Sequence, residues 1–109
     1  VIAAADASAL GAIEALNAAG RKNVAVVSIN GVPEAVEAVK AGSLLAIAEF
    51  DGFKIGCVAT AVGLNAIRGQ SAPKQVTIPG AIITKANYAP WLVPYKDRTC
   101  PSPDAYITK

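Results

Sequence analysis

The sequence predicts an α/β fold, a parallel sheet with flanking helices in the order βαβαβαβ, and three observations carry the prediction. Four apolar runs, at residues 1–5, 24–29, 44–48 and 76–84, alternate with three segments of helical periodicity. Within the runs successive positions are apolar, as in Val24-Ala25-Val26-Val27, the pattern of strands covered on both faces by helices. The chain has 109 residues and 53% hydrophobic content, enough for one domain with a substantial core.

The elements follow in order. After the first run, Asp6 is a good N-cap for a helix that presents Leu10, Ile13 and Leu16 at a spacing of three and stops near Gly20. The second run ends in Asn30-Gly31-Val32-Pro33. Pro33 then opens a helix whose first turn loses nothing by lacking an N–H. Val36 and Val39 form its apolar stripe, Glu34 and Glu37 lie toward its positive end, and Lys40 with Gly42 closes it. The third run leads to a helix over residues 53–68, with Ile55, Val58, Ala59, Val62 and Ala66 on one continuous face and Gly69 at its end. Beyond the fourth run, Pro90, Pro94, Pro101 and Pro103 forbid a regular helix or central strand, so the tail is expected to wrap irregularly.

Composition narrows the function. The net charge is +2 and the basic residues are scattered apart from Arg21-Lys22, so nothing tracks a phosphate backbone and nucleic acid is not an expected partner. Mean hydropathy is positive, yet no apolar run reaches the roughly 18 residues of a membrane span. The opening residues lack the basic region of a secretory signal. There is no histidine, and no nucleotide-binding loop, nucleophile elbow or metal-ligand spacing. The expectation is therefore no enzyme, no cofactor and no metal. Cys57 and Cys100 fit neither a redox pair nor a cysteine zinc site, and the composition leaves a disulfide and two free thiols equally open.

What remains is a juxtaposition set by topology. Asp6, Asn30 and Glu49 each follow directly on an apolar strand, at the edge where open α/β sheets bind ligands. Two carboxylates and an amide there would suit the hydroxyls of a small sugar or polyol. Asp6 is equally explained as a helix cap and Asn30 as a turn residue before Gly31. Glu49 is harder to explain locally, because a carboxylate behind "LLAIA" carries a desolvation cost unless something pairs with it. Phe50, Phe53 and Trp91 could offer a platform for a sugar ring, or simply pack in the core.

These residues resemble the C-terminal third of periplasmic sugar-binding proteins of the ribose-binding type. The pieces that carry the resemblance are "ADASALGAIEALNAAG", "VVSINGVPEAVEAVKAG", "LLAIAEF" and "GLNAIRGQSAPKQVTIPGAIITKANY", together spanning roughly residues 1–90. The resemblance implies a partial type I periplasmic-binding fold and an exported, periplasmic or extracellular, solute-binding protein of an ABC transporter. It implies a sugar or polyol as ligand and the transporter's membrane subunits as partners. By position it carries the ligand contacts to Asp6 beside Ala5, to Asn30 and to Glu49; the family often has Asn, Asp and Gln at Ala5, Asn30 and Glu49 respectively.

The resemblance further implies an N-terminal lobe, or a companion chain supplying it. It places residues 1–49 in the C-terminal lobe, residues 50–80 in the other lobe, and residues 81–109 back in the C-terminal lobe with an irregular tail. An unpartnered face of about 400 Å² on the third helix would forfeit about 10 kcal/mol at ~25 cal/mol per Å². Export would allow Cys100 to tie the tail to Cys57. The other readings are the sensor domain of a lactose-repressor-type regulator and a self-contained flavodoxin-like domain.

Overall fold

A computed structural model describes residues 1–107; residues 108 and 109 of the expected tail lie outside them. Within these residues a three-stranded sheet runs in the order β1 (Val27–Asn30), β2 (Ala46–Glu49), β3 (Ala81–Thr84). The helices are α1 (Asp6–Ala18), α2 (Pro33–Ala41) and α3 (Gly52–Ile67), and the tail forms three short 3-10 turns at Ala89–Leu92, Tyr95–Asp97 and Pro103–Tyr106. Strands β1 and β2 are parallel, with Val27 opposite Ala46 and Asn30 opposite Glu49, as a crossover through α2 requires.

Two strands differ from expectation. Residues 1–5 contribute only a bridge, Ile2 to Val27, supported by hydrogen bonds of 2.9 Å from Ala3 N to Val27 O and from Val27 N to Val1 O. Strand β3 is antiparallel, with Ala81 opposite Glu49. A parallel neighbour would need the chain to return to the sheet's other end. Here it leaves at Glu49, makes its excursion through α3 and re-enters at the same rim. The rest of the fourth apolar run stays outside the sheet, where Val76 bridges Ile107.

Local chemistry sets the helices. Ala5, extended at φ −157°, is the residue that precedes α1, so Asp6 is the first helical residue and not the cap. Pro33 opens α2, whose Val36 and Val39 are fully buried, and Gly42 closes it at φ 87° with its N–H on the carbonyls of Ala38 and Val39. Helix α3 is capped by Asp51, whose carboxylate accepts from Lys54 N at 3.0 Å.

The core lies on one face of the sheet. Val26, Val36, Val39, Leu44, Ile47 and Ile83 are buried there, with Ala9 of α1. On the opposite face Ile29, Ala48 and Ile82 are consecutive register partners, and Ile29 and Ile82 are 41% and 57% exposed. The described residues thus cover the apolar runs on one side only.

Helix α3 stands away from this core. The radius of gyration is 17.2 Å, against about 13 Å for a compact chain of this length. The helix packs on the turn Pro103–Tyr106, and Thr77 N donates to Tyr106 O at 3.1 Å alongside. A disulfide joins Cys57 of α3 to Cys100 of the tail. The apolar face read from the sequence is not packed on the chain's own sheet: Ile55, Val58, Ala59 and Val62 line an open groove of about 520 Å³ with Val76 and Ile78.

Candidate binding site

The ends of β1 and β2 form the site. Asn30 and Glu49 are partners in register at the carboxyl edge of the two parallel strands, and both line a cavity of about 170 Å³ with Gly31, Phe50, Phe53, Tyr95 and Arg98. Asn30 has φ 130°, a conformation that an ordinary side chain rarely adopts. Strain of this kind persists where surrounding structure enforces it. Its carboxamide makes no hydrogen bond among the described residues.

Asp6 is what enforces it. Its side chain is 1% exposed. One carboxylate oxygen accepts from Ser28 Oγ at 2.5 Å, and the other accepts from the backbone N–H groups of Gly31 and Val32, both at 2.7 Å. The carboxylate is therefore spent inside the protein, where Asp6 holds the Asn30-Gly31-Val32 turn and does not line the cavity. Gly31 completes that turn at φ 91°, where a Cβ would stand 2.7 Å from Glu49 Cγ. A larger residue would press directly on the second candidate carboxylate.

Glu49 is 6% exposed. Burial pushes its carboxyl above the ordinary value, and the Asp51 carboxylate adds to the push; the Trp91 indole N–H, the Asp51 backbone N–H and Lys54 oppose it. Asp51 behaves differently. Burial acts to raise it, but the Lys54 ammonium at 2.7 Å, the Lys54 backbone N–H and Arg98 together hold it below its ordinary value.

By linkage, the raised carboxyl of Glu49 makes the folded state less stable as the pH rises. Below the ordinary value of 4.5 the group is neutral in both folded and unfolded chains and contributes nothing. As the pH rises past that value the unfolded chain releases its proton first, so the folded state loses stability. Glu49→Gln is accordingly expected to raise the thermal midpoint of the ligand-free protein at pH 7, with the gain fading to zero below pH 4.5. Thermal melts of the two proteins across pH 4 to 8 check this; a gain that persists at low pH contradicts it.

The aromatic residues divide. Trp91 packs against the core, whereas Phe50 is 47% exposed at the rim. Phe53 stacks on Tyr95 with ring centroids 5.9 Å apart and planes at 6°. Tyr95 and Arg98 were not legible as site residues, since nothing in a proline-rich tail marks which side chains fold back.

No protein-family model matches the chain. A putative rhizopine-binding protein of Rhizobium meliloti is 35% identical over 91 residues, covering 82% of this chain and 29% of its own length. The structure of an ABC transporter periplasmic solute-binding protein from Actinobacillus succinogenes with bound D-allose superposes at TM-score 0.76 and 28% identity, over 82% of this chain and 32% of that one. The chain has the partial type I periplasmic-binding fold of the sugar-binding ABC-transporter proteins. An ABC transporter solute-binding protein from Bacillus halodurans with bound myo-inositol shares the fold at TM-score 0.73 and 33% identity, over 84% of this chain and 32% of its own. The chain thus spans about 30% of the length of these relatives.

Proposed function

We propose that this chain supplies one wall of the ligand site in an exported solute-binding protein, which holds a sugar or polyol and delivers it to the membrane subunits of an ABC transporter. No bond is made or broken in that task. The observation that carries the reading is the register pairing of Asn30 with Glu49 at a parallel sheet edge, facing a cavity. An amide that both donates and accepts, beside a carboxylate that accepts, matches the two-way hydrogen bonding of hydroxyl groups.

The cavity's size fits half a site. About 170 Å³ falls below the 300–1,000 Å³ or so of a complete small-molecule pocket, and a second lobe closing over it would supply the remainder. We assign residues 1–49 and 81–94 to one lobe and residues 50–80, to which the end of the tail is tied, to a body that packs on the other, because no residue of the sheet lines the groove on α3. Closure is then driven by contacts the ligand makes only when both walls meet, which shifts the population toward the closed form. In this reading Asn30 and Glu49 touch the ligand and Asp6 holds the turn that aims Asn30.

Isothermal titration of the full-length protein with myo-inositol and D-allose, extended to other hexoses and cyclitols, tests the proposal. Asn30→Ala and Glu49→Ala are each expected to weaken binding about 10–100-fold, the loss of one to two well-formed hydrogen bonds in a desolvated site. Full affinity in both variants, or no binding by the wild type across the panel, would overturn it.

A further inference from the structure

We infer that the proline-rich tail is a working part of the ligand site: Arg98 supplies hydrogen-bond donors to a vicinal diol of the ligand, and the strap that carries it is locked by the Cys57–Cys100 disulfide. The inference rests on the sugar or polyol reading above and adds the residue that separates one hydroxylated ligand from another.

Four observations converge on Arg98. Its guanidinium lies 4.6 Å from the Tyr95 ring centroid and 5.9 Å from that of Phe53, so it covers the stacked pair. Its Nε donates to Val93 O at 2.8 Å and its Nη2 to Trp91 O at 2.7 Å, bonds that pin the planar fork in one orientation. Those two bonds leave further N–H donors of the fork unused. Finally, Arg98 and Phe53 line both the 170 Å³ cavity of Asn30 and Glu49 and a neighbouring cavity of about 310 Å³, so the pair forms the partition between them.

Chemical complementarity gives the ligand class. Glu49 in its charged form only accepts hydrogen bonds and Arg98 only donates them. Adjacent hydroxyls satisfy both at once, one donating to Glu49 while its neighbour accepts from Arg98. A deoxy analogue lacking either hydroxyl leaves a desolvated charged group without its partner, which is the stronger basis for discrimination.

The disulfide fits the same device. Cys57 lies one helical turn beyond Phe53 on α3, and Cys100 lies two residues beyond Arg98 on the tail. The covalent bond therefore ties the helix that carries Phe53 to the tail that carries Arg98, close in sequence to both sides of their contact. Freed of it, the strap would lose its fixed approach to the cavity.

The test uses full-length protein and the affinities of myo-inositol, D-allose and their monodeoxy analogues, measured by titration calorimetry. Arg98→Ala is expected to weaken the parent ligand about tenfold or more, Arg98→Lys less, and Cys57→Ala with Cys100→Ala several-fold through faster dissociation. For one deoxy analogue the wild type and Arg98→Ala are expected to bind alike, because the hydroxyl that Arg98 contacts is gone. A merely structural Arg98 would weaken every analogue equally, and that result overturns the inference, as does unchanged affinity. Tyr95→Leu serves as a second variant should Arg98→Ala fail to fold, with loss of affinity expected and wild-type affinity counting against the strap. If the wild type binds none of these probes, the sugar-site reading itself falls and the strap with it; binding by the wild type that Arg98 does not influence removes the strap alone.

Discussion

Asp6→Ala is expected to lower the stability of the protein by about 3–5 kcal/mol, an effect far outside the range of ordinary surface substitutions. The side chain is almost completely buried, and its two oxygens hold three donors: the Ser28 hydroxyl and the backbone N–H groups of Gly31 and Val32. Alanine removes the acceptors and leaves the donors behind. Ser28 is 3% exposed, so its hydroxyl has no route to water without opening the edge of the sheet. The two backbone groups belong to a turn in which Asn30 and Gly31 both have positive φ, at 130° and 91°, and that conformation is disfavoured for Asn30 without outside support.

Asp6→Asn sharpens the test. It keeps the size of the side chain but replaces one acceptor by an NH2 group facing a donor, so an intermediate loss is expected. Urea titration of wild type and both variants gives the order directly. A loss below about 1 kcal/mol for Asp6→Ala would show that the turn holds itself, and Asp6 would revert to a helix-start residue. In the proposed binding role, ligand affinity is expected to fall along with stability, since Asn30 would no longer be held in its turn.

The case of Asp6 shows where reading the sequence succeeds and where it stops. Apolar runs alternating with helical segments locate β1, β2 and β3, and the first polar residue after a run marks the sheet edge, which is why Asn30 and Glu49 are found together. Asp6 obeys the same rule yet turns inward, because its partners lie 22 to 26 residues away and depend on how α1 packs beside β1. Direction is similarly hidden in β3: an apolar run specifies a strand, while its antiparallel sense comes from the excursion through α3. The two-sided cover implied by the apolar strands is met on one face only by the described residues, while Ile29 and Ile82 remain open on the other. Arg98 was indistinguishable from a solvated charge until the tail's path brought it over Tyr95. The Cys57–Cys100 pairing was undecided for the same reason.

Removing that disulfide, by Cys57→Ala with Cys100→Ala, is expected to cost about 4 kcal/mol on the chain-entropy estimate for its 43-residue separation. The distribution of the loss is more telling than its size. The sheet body is held by its own buried side chains and ladder hydrogen bonds, none of which involves α3 or the last turns. By contrast, among the described residues α3 is held by the turn Pro103–Tyr106, the bridge from Val76 to Ile107, the stacking of Phe53 on Tyr95 and the covalent bond. Val58, 1% exposed and next to Cys57, is the one residue of α3 that is fully buried among the described residues. Hydrogen exchange on the oxidised and cysteine-free proteins is therefore expected to show protection falling in α3 and residues 95–107, with β1 and β2 nearly unchanged. Equal loss across the sheet would mean that the two bodies unfold as one unit. The division would then be topological only, and the hinge required by the proposed ligand closure would have to lie elsewhere in the chain.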